Sequence, residues 1–321
     1  MPEKKRQHYI PQFYLKNFAR EDIMLSIISS RGLIIDSAPY KRQCYSDYYY
    51  QSDDAEKELS ELESSAAPII KLMNDQNDVI LSDIEQNLLK VFIGYQFFRT
   101  TGQIDYLIRS YGGLLSEVSK YYVNGGVPKR LSEEFLRKSE GKLLPLESLS
   151  MARKVVSLIN DLKLAVVVFS EKHFLISSDN PVVLFNNYYK QCVGFAMAGL
   201  VIVLPISPHK LLVVYDSKMY SLNRKYGIDY ESKYKDSLIL NRLQLYNADK
   251  IIFGNNIELM HKPIPGNDRR IRYNKFRTIE QAATKREDMP KEHEGDTNER
   301  RAGRVSNEAI DRVPGPIPWE R

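Results

Sequence analysis

Histidine, carboxylate and arginine side chains are the groups from which a protein builds hydrolytic chemistry at neutral pH, and this chain holds a small set of them at usable spacings. His8 precedes a helix opened by Pro11, and Gln12 stands one turn further on. An imidazole there can move protons or bind a metal, or it can cap the first turn. Glu56 and Glu63 are seven residues apart, two turns of a helix, so both point to one side. Two carboxylates on one face can bind a divalent cation or act as acid and base. With Glu58 and Glu61 beside them they also read as a solvated acidic face. Gln96 and Arg99 lie three apart on a strongly apolar helix. Arg99 is placed to pair with Glu63 or to clamp a phosphate with its planar fork. Asp179, in Ser178-Asp179-Asn180-Pro181, sits between two strand-like runs, where a rigid scaffold can aim a short carboxylate. Ordinary turn chemistry gives the same residues.

Taken together, His8, Gln12, Glu63, Gln96, Arg99 and Asp179 are the candidate catalytic set, with Glu56, Glu63 and Asp179 as candidate metal ligands. The chemistry they fit is metal-assisted hydrolysis of a phosphodiester or nucleotide. Carboxylates would hold Mg²⁺ or Mn²⁺, histidine would transfer protons, and arginine would balance transition-state charge. The same residues fit a second reading, a buried polar network that holds the N-terminal segment onto the helices while the protein binds rather than catalyses. His173 and His209 stand at strand edges and are weaker candidates. No GxSxG nucleophile elbow, Walker loop or GxGxxG signature occurs.

Positioning these residues needs an α+β fold. Two β-branched runs in residues 23–39 flank Ser30-Arg31-Gly32 and predict an N-terminal β-hairpin. The helical middle spans about 52–163. Residues 54–74 place Leu59, Leu62, Ala66, Ile69 and Ile70 near a 3.6-residue period, with Pro68 expected to kink or end the helix. Residues 82–99 open with Ser82 and Glu85 in capping-box spacing. Further helices are expected at 103–123, 131–139 and 147–162. The sheet part spans about 164–255: LAVVVFS, HFLIS, PVVLF, GLVIVLPIS and KLLVVYD, then a helix at 231–247 and the strand IIFG at 251–254, predict an antiparallel C-terminal sheet. Residues 1–260 thus read as one α+β domain, and 261–321, rich in charge and proline, as a disordered tail. Its basic knot around Arg269 and Arg272 could touch an anionic partner.

Composition narrows the setting. The 21 tyrosines suit a core with polar seams or a surface that stacks on bases. A net charge of +5 permits nucleic-acid binding without arguing for it. Two isolated cysteines, Cys44 and Cys192, form no zinc pattern and fit a reducing cytoplasm, with Cys192 read as core. No secretion signal or membrane-length apolar run is visible. The expectation is a cytoplasmic protein with no membrane partner.

The segment HYIPQFYLKNF at 8–18 resembles the opening signature of a bacterial family catalogued as domain of unknown function 4238. The Tyr-rich stretch 44–50, YQFFR at 95–99, SSDNPVV at 177–183, PISP at 205–208 and LNRLQLYNA at 240–248 follow in the same order. The resemblance covers roughly 7–254. Members occur among anti-phage defence genes, so the resemblance implies a defence role, with nucleic acid, a nucleotide or a phage protein as partner.

Overall fold

The computed structural model describes residues 5–21, 23–30, 33–77, 79–110, 144–171, 173–186, 194–221, 234–256, 260 and 315–316. The fold is α+β. The chain begins with a short strand β1 (Arg6–His8) and helix α1 (Gln12–Lys16), with Pro11 as its N-cap rather than its first helical residue. The expected hairpin follows as β2 (Met24–Ser29) and β3 (Ile34–Pro39), paired antiparallel. Strand β4 (Tyr45–Asp47) returns to pair with β1.

Helix α2 (Asp53–Asp75) runs through Pro68 instead of ending there. A proline deletes one hydrogen bond, to the carbonyl four residues back. Here Ser64 and Pro68 lie on the exposed side of the helix, while Ala66, Ile69, Ile70 and Met73 stay buried. Packing outweighs the local penalty. The far end of α2 is held by a buried lysine, Lys210, whose ammonium donates to the carbonyls of Met73, Asn74 and Gln76. A cation at the carbonyl end of a helix also suits its dipole.

Helix α3 (Asp83–Phe98) starts with the anticipated capping box: Ser82 accepts from the Glu85 N–H, and the Glu85 carboxylate accepts from the Ser82 N–H. A further helix α4 (residues 101–110) follows directly. Helix α5 (Leu144–Val156) packs on α3. The helix expected at 131–139, the second half of that expected at 103–123, and Cys192 lie outside the described residues. So does the tail from 261, apart from Gly315–Pro316, which pair in parallel with β10 (Tyr220–Ser221).

The strand-rich half contributes β5 (Lys163–Val168), β6 (Ser177–Ser178), β7 (Val183–Asn186), β8 (Leu200–Ser207), β9 (Lys210–Tyr215) and β11 (Ile251–Gly254). They do not form a single C-terminal sheet. One four-stranded sheet has the order β5-β9-β8-β7, and a second has the order β3-β2-β11-β6. The hairpin therefore belongs to a sheet completed by the end of the domain, with Ile27 opposite Phe253. The HFLIS run contributes only its last residue to a strand, β6.

The first sheet is buried on both faces, which explains its unbroken apolar runs. Side chains alternate along a strand, and here Ile202, Leu204, Leu212 and Val214 enter the main core while Val201, Val203, Leu211 and Val213 enter a second one beneath helix α6 (Tyr234–Asn247). The main core also takes Tyr14, Leu15 and Phe18 from the opening segment and Phe92 and Ile93 from α3. Tyr14 links both sheets: its hydroxyl donates to the Pro205 carbonyl at 2.5 Å and bonds Ser177 Oγ at 2.7 Å. Tyr220 likewise bonds the Gly199 carbonyl. These tyrosines make a core with polar seams. Among the described residues no helix is long and apolar enough to cross a membrane.

Candidate functional site

The C-terminal end of α3 gathers most of the candidate residues. Arg99 is 3% exposed and each of its three guanidinium nitrogens donates. Its Nε donates to the Tyr50 hydroxyl at 3.1 Å, Nη1 to Glu63 at 2.7 Å, and Nη2 to the His8 carbonyl at 2.6 Å. One side chain thus joins β1, the Tyr-rich loop and α2. Burial works against the Arg99 charge, and the Tyr50 hydroxyl and Glu63 more than compensate, holding its pKa above the usual arginine value. Burial pushes the Tyr50 hydroxyl up to about 12, with Arg99 pulling it back. The alternative of an ion pair with Glu63 is the one Arg99 takes.

Above this buried layer opens a pocket of about 400 Å³, lined by His8, Gln12, Glu56, Glu63 and Arg99 among others. The His8 ring is tied at both nitrogens. Nε2 lies 3.3 Å from the Lys41 carbonyl and Nδ1 lies 3.5 Å from Gln12 Nε2. A carbonyl can only accept, so Nε2 donates to Lys41, and Nδ1 is the nitrogen that faces the Gln12 amide and the pocket. The ring also leans on Tyr45, 5.5 Å between centroids. Gln12 is exposed, so its contact with Nδ1 is readily exchanged for another donor. Glu63 is 26% exposed. Glu58, on the same helix, is held instead by Arg153 of α5 and Tyr95 of α3. The hydrogen bond from Arg153 lowers its pKa against a smaller opposing effect of burial.

Gln96 and Asp179 are not part of this pocket. Gln96 is fully buried and donates to the Tyr9 carbonyl at 3.1 Å, while its Oε1 has no partner among the described residues. Asp179 is fully buried at the end of β6, in the other half of the chain. It accepts three backbone N–H bonds, from Asp249 at 2.9 Å, Lys250 at 2.7 Å and Ile251 at 3.2 Å. Burial pushes its carboxyl up to about 7, and the three N–H donors pull the other way. The donors lie some seventy positions downstream, so its turn-like setting hides a clamp on the start of β11. Among the described residues no three His, Cys, Asp or Glu side chains come together as metal ligands. The set Glu56, Glu63 and Asp179 is therefore divided, and the pocket keeps the first two. Two carboxylates suffice for a cation such as Mg²⁺, which completes its shell with water and substrate oxygens.

His173 and His209 bond within the turns around β9: Ser170 Oγ lies 3.3 Å from His173 Nδ1, and His209 Nδ1 lies 3.3 Å from the His173 carbonyl. Cys44 is buried, its thiol raised by burial and by Asp179 nearby. The residue that sequence reasoning missed is Tyr50, whose hydroxyl touches Arg99. The Tyr-rich run marked the region without singling out that position. Three residues there, Cys44, Tyr48 and Gln51, have left-handed backbone with φ near 52–54°, a conformation side chains rarely adopt without surrounding constraint.

No curated protein and no solved structure matches the chain significantly. A family model does, over residues 6–258, nearly all of the chain before the tail. The chain belongs to the family described as protein of unknown function DUF4238.

Proposed function

We propose that the chain is an anti-phage effector with a hydrolytic centre acting on a phosphodiester or nucleotide, and that the pocket of His8, Gln12, Glu56 and Glu63 is that centre. The observation that carries the chemistry is that an imidazole and two carboxylates line one pocket, over a buried arginine that fixes both the His8 backbone and Glu63. The defence setting comes from the family resemblance.

His8 Nδ1 is the proton acceptor. As water attacks phosphorus, a proton passes from the water to Nδ1, and the imidazolium then returns a proton to the leaving oxygen. The Lys41 carbonyl holds the ring through Nε2. Arg99 acts as a positioning residue. Glu56 and Glu63 would hold a divalent cation, which when bound would polarise the phosphoryl oxygens.

The second reading, a binding protein with a structural polar network, draws on a different observation: Arg99 and Asp179 each make three hydrogen bonds to partners inside the fold. Turnover decides between the two. Purified protein is incubated with a panel of nucleotides, single-stranded and double-stranded DNA and RNA, with Mg²⁺ or Mn²⁺. The expected result is turnover that falls by about 10²–10⁴-fold in His8→Ala, with unchanged circular dichroism, and loss of protection in a phage challenge. If folded His8→Ala still protects cells, the catalytic reading fails and the binding reading replaces it.

A further inference from the structure

A second pocket also borders the α3 terminus, through Phe97 and Gly102. It has a volume of about 450 Å³ and is bounded by α3, α4, the end of α6 and the adjoining ends of β2 and β11. That size lies within the range of small-molecule sites. It takes in Asn180 of the SSDNPVV motif, no residue of which lines the first pocket.

Its floor is rigid. Asp179, beneath it, fixes the N–H groups of Asp249, Lys250 and Ile251, all of which line the pocket. Asn180 and Asn247 lock together by reciprocal bonds, each side-chain amide donating to the other's backbone carbonyl. Thr100 donates to Asn180 Oδ1 at 2.9 Å, and Thr101 donates to Asp249 at 3.1 Å. Such a framework holds its lining groups in place before any ligand arrives.

The walls have a different chemistry. Two tyrosines line them while exposing much of their surface, Tyr106 at 63% and Tyr246 at 47%. Aromatic faces kept at solvent over a formed pocket are stacking surfaces for planar rings. Two cations, Arg109 and Lys250, also line it. The Lys250 ammonium is 61% exposed and reaches Asp249, which is only 7% exposed, at 3.6 Å. The pocket therefore combines aromatic faces, positive charge and a nearly buried carboxylate that can accept an N–H from a heterocycle.

We infer that this second pocket binds a nucleotide, with its base against Tyr106 or Tyr246, its phosphates on Arg109 and Lys250, and Asp249 facing the base edge. The inference stands apart from the proposed hydrolytic centre, because no residue lines both pockets. It assigns Asp179 as a positioning residue for the floor.

The test is calorimetric titration of the full chain with ATP, GTP, CTP and UTP in turn, with inorganic triphosphate as control. At least one nucleotide should bind saturably and more tightly than triphosphate. Tyr246→Ala should weaken it by about tenfold, within the range of a single base-stacking contact. Arg109→Ala should weaken it and flatten its salt dependence. Both residues are exposed, so neither variant threatens folding. His8→Ala should bind as wild type does, which separates this site from the first pocket. The inference is overturned if no nucleotide binds below about 1 mM, weaker than the usual range for enzyme substrates. It is also overturned if triphosphate binds as tightly as the nucleotides and Tyr246→Ala has no effect.

Discussion

Replacing Arg99 by methionine should be among the most damaging single substitutions in this fold. The two side chains are similar in length, so the change mainly removes the guanidinium. Three bonds disappear together: to the Tyr50 hydroxyl at 3.1 Å, to Glu63 at 2.7 Å and to the His8 carbonyl at 2.6 Å. Each hydrogen bond from a charged group is worth about 1.5–3 kcal/mol. Two features reduce the sum. Glu63 is 26% exposed, so water partly replaces its lost partner. The Tyr50 hydroxyl lies 3.4 Å from the His8 carbonyl and can still donate to it. The net loss should be about 3–4 kcal/mol, in line with breaking one partner of a buried pair. For a domain of this size that lowers the melting temperature by roughly 10 °C. Urea unfolding followed by circular dichroism gives the value directly. Glu63→Gln should cost only about 1 kcal/mol, because the amide oxygen still accepts one bond. The double variant should then show a coupling of about 1–2 kcal/mol. A loss below about 1 kcal/mol for Arg99→Met would refute the claim that this guanidinium ties the N-terminal strand to α2 and α3.

Two further outcomes follow from buried charges elsewhere. Lys210→Met strips the donor from the Met73, Asn74 and Gln76 carbonyls. It should cost about 2 kcal/mol and speed hydrogen exchange in the last turn of α2, leaving the capped start of α3 unchanged. Asp179 makes stability depend on pH: an unfolded aspartate titrates near 3.9, whereas burial raises this one to about 7. The native chain thus binds more protons between those values, and the contribution of Asp179 to stability should decline as pH rises from about 4 to about 7. Urea midpoints across that range should lose this component of the slope in Asp179→Asn, and an unchanged slope would remove Asp179 as its source.

What was legible in the sequence was local. Helices α2 and α3 follow from apolar periodicity, and the start of α3 from the Ser82–Glu85 pair, because those signals act within a few residues. Strands β8 and β9 follow from apolar runs too long for loops and too short for membrane helices. The division into two sheets was not legible, because it depends on Ile27 meeting Phe253 across more than two hundred residues. Pro68 does not end α2, because its local cost is outweighed by core contacts that the segment itself does not display. Of the candidate residues, those within α2 and just before α1 were legible by spacing, and they share a pocket. Asp179 was legible as a polar residue at a strand end, but its role is set by N–H groups of residues 249–251.

The two pockets have a common origin in the end of α3. Successive residues of a helix point about 100° apart, so a polar run at its terminus addresses several directions at once. Arg99 turns to α2 and β1 and underlies the first pocket. Thr100 turns to Asn180, and Thr101 to Asp249, both in the wall of the second pocket. Gln96, one turn earlier, donates to the Tyr9 carbonyl. A helix end also carries carbonyls that need partners, and Ser148 of α5 supplies one by donating to the Phe98 carbonyl. The YQFFR segment therefore alternates two tasks: its aromatic residues pack the helix into place, and its polar residues, continued by the two threonines, fix the walls of both pockets. Candidate residues that read as one cluster in the sequence lie around two pockets because one helix terminus borders both.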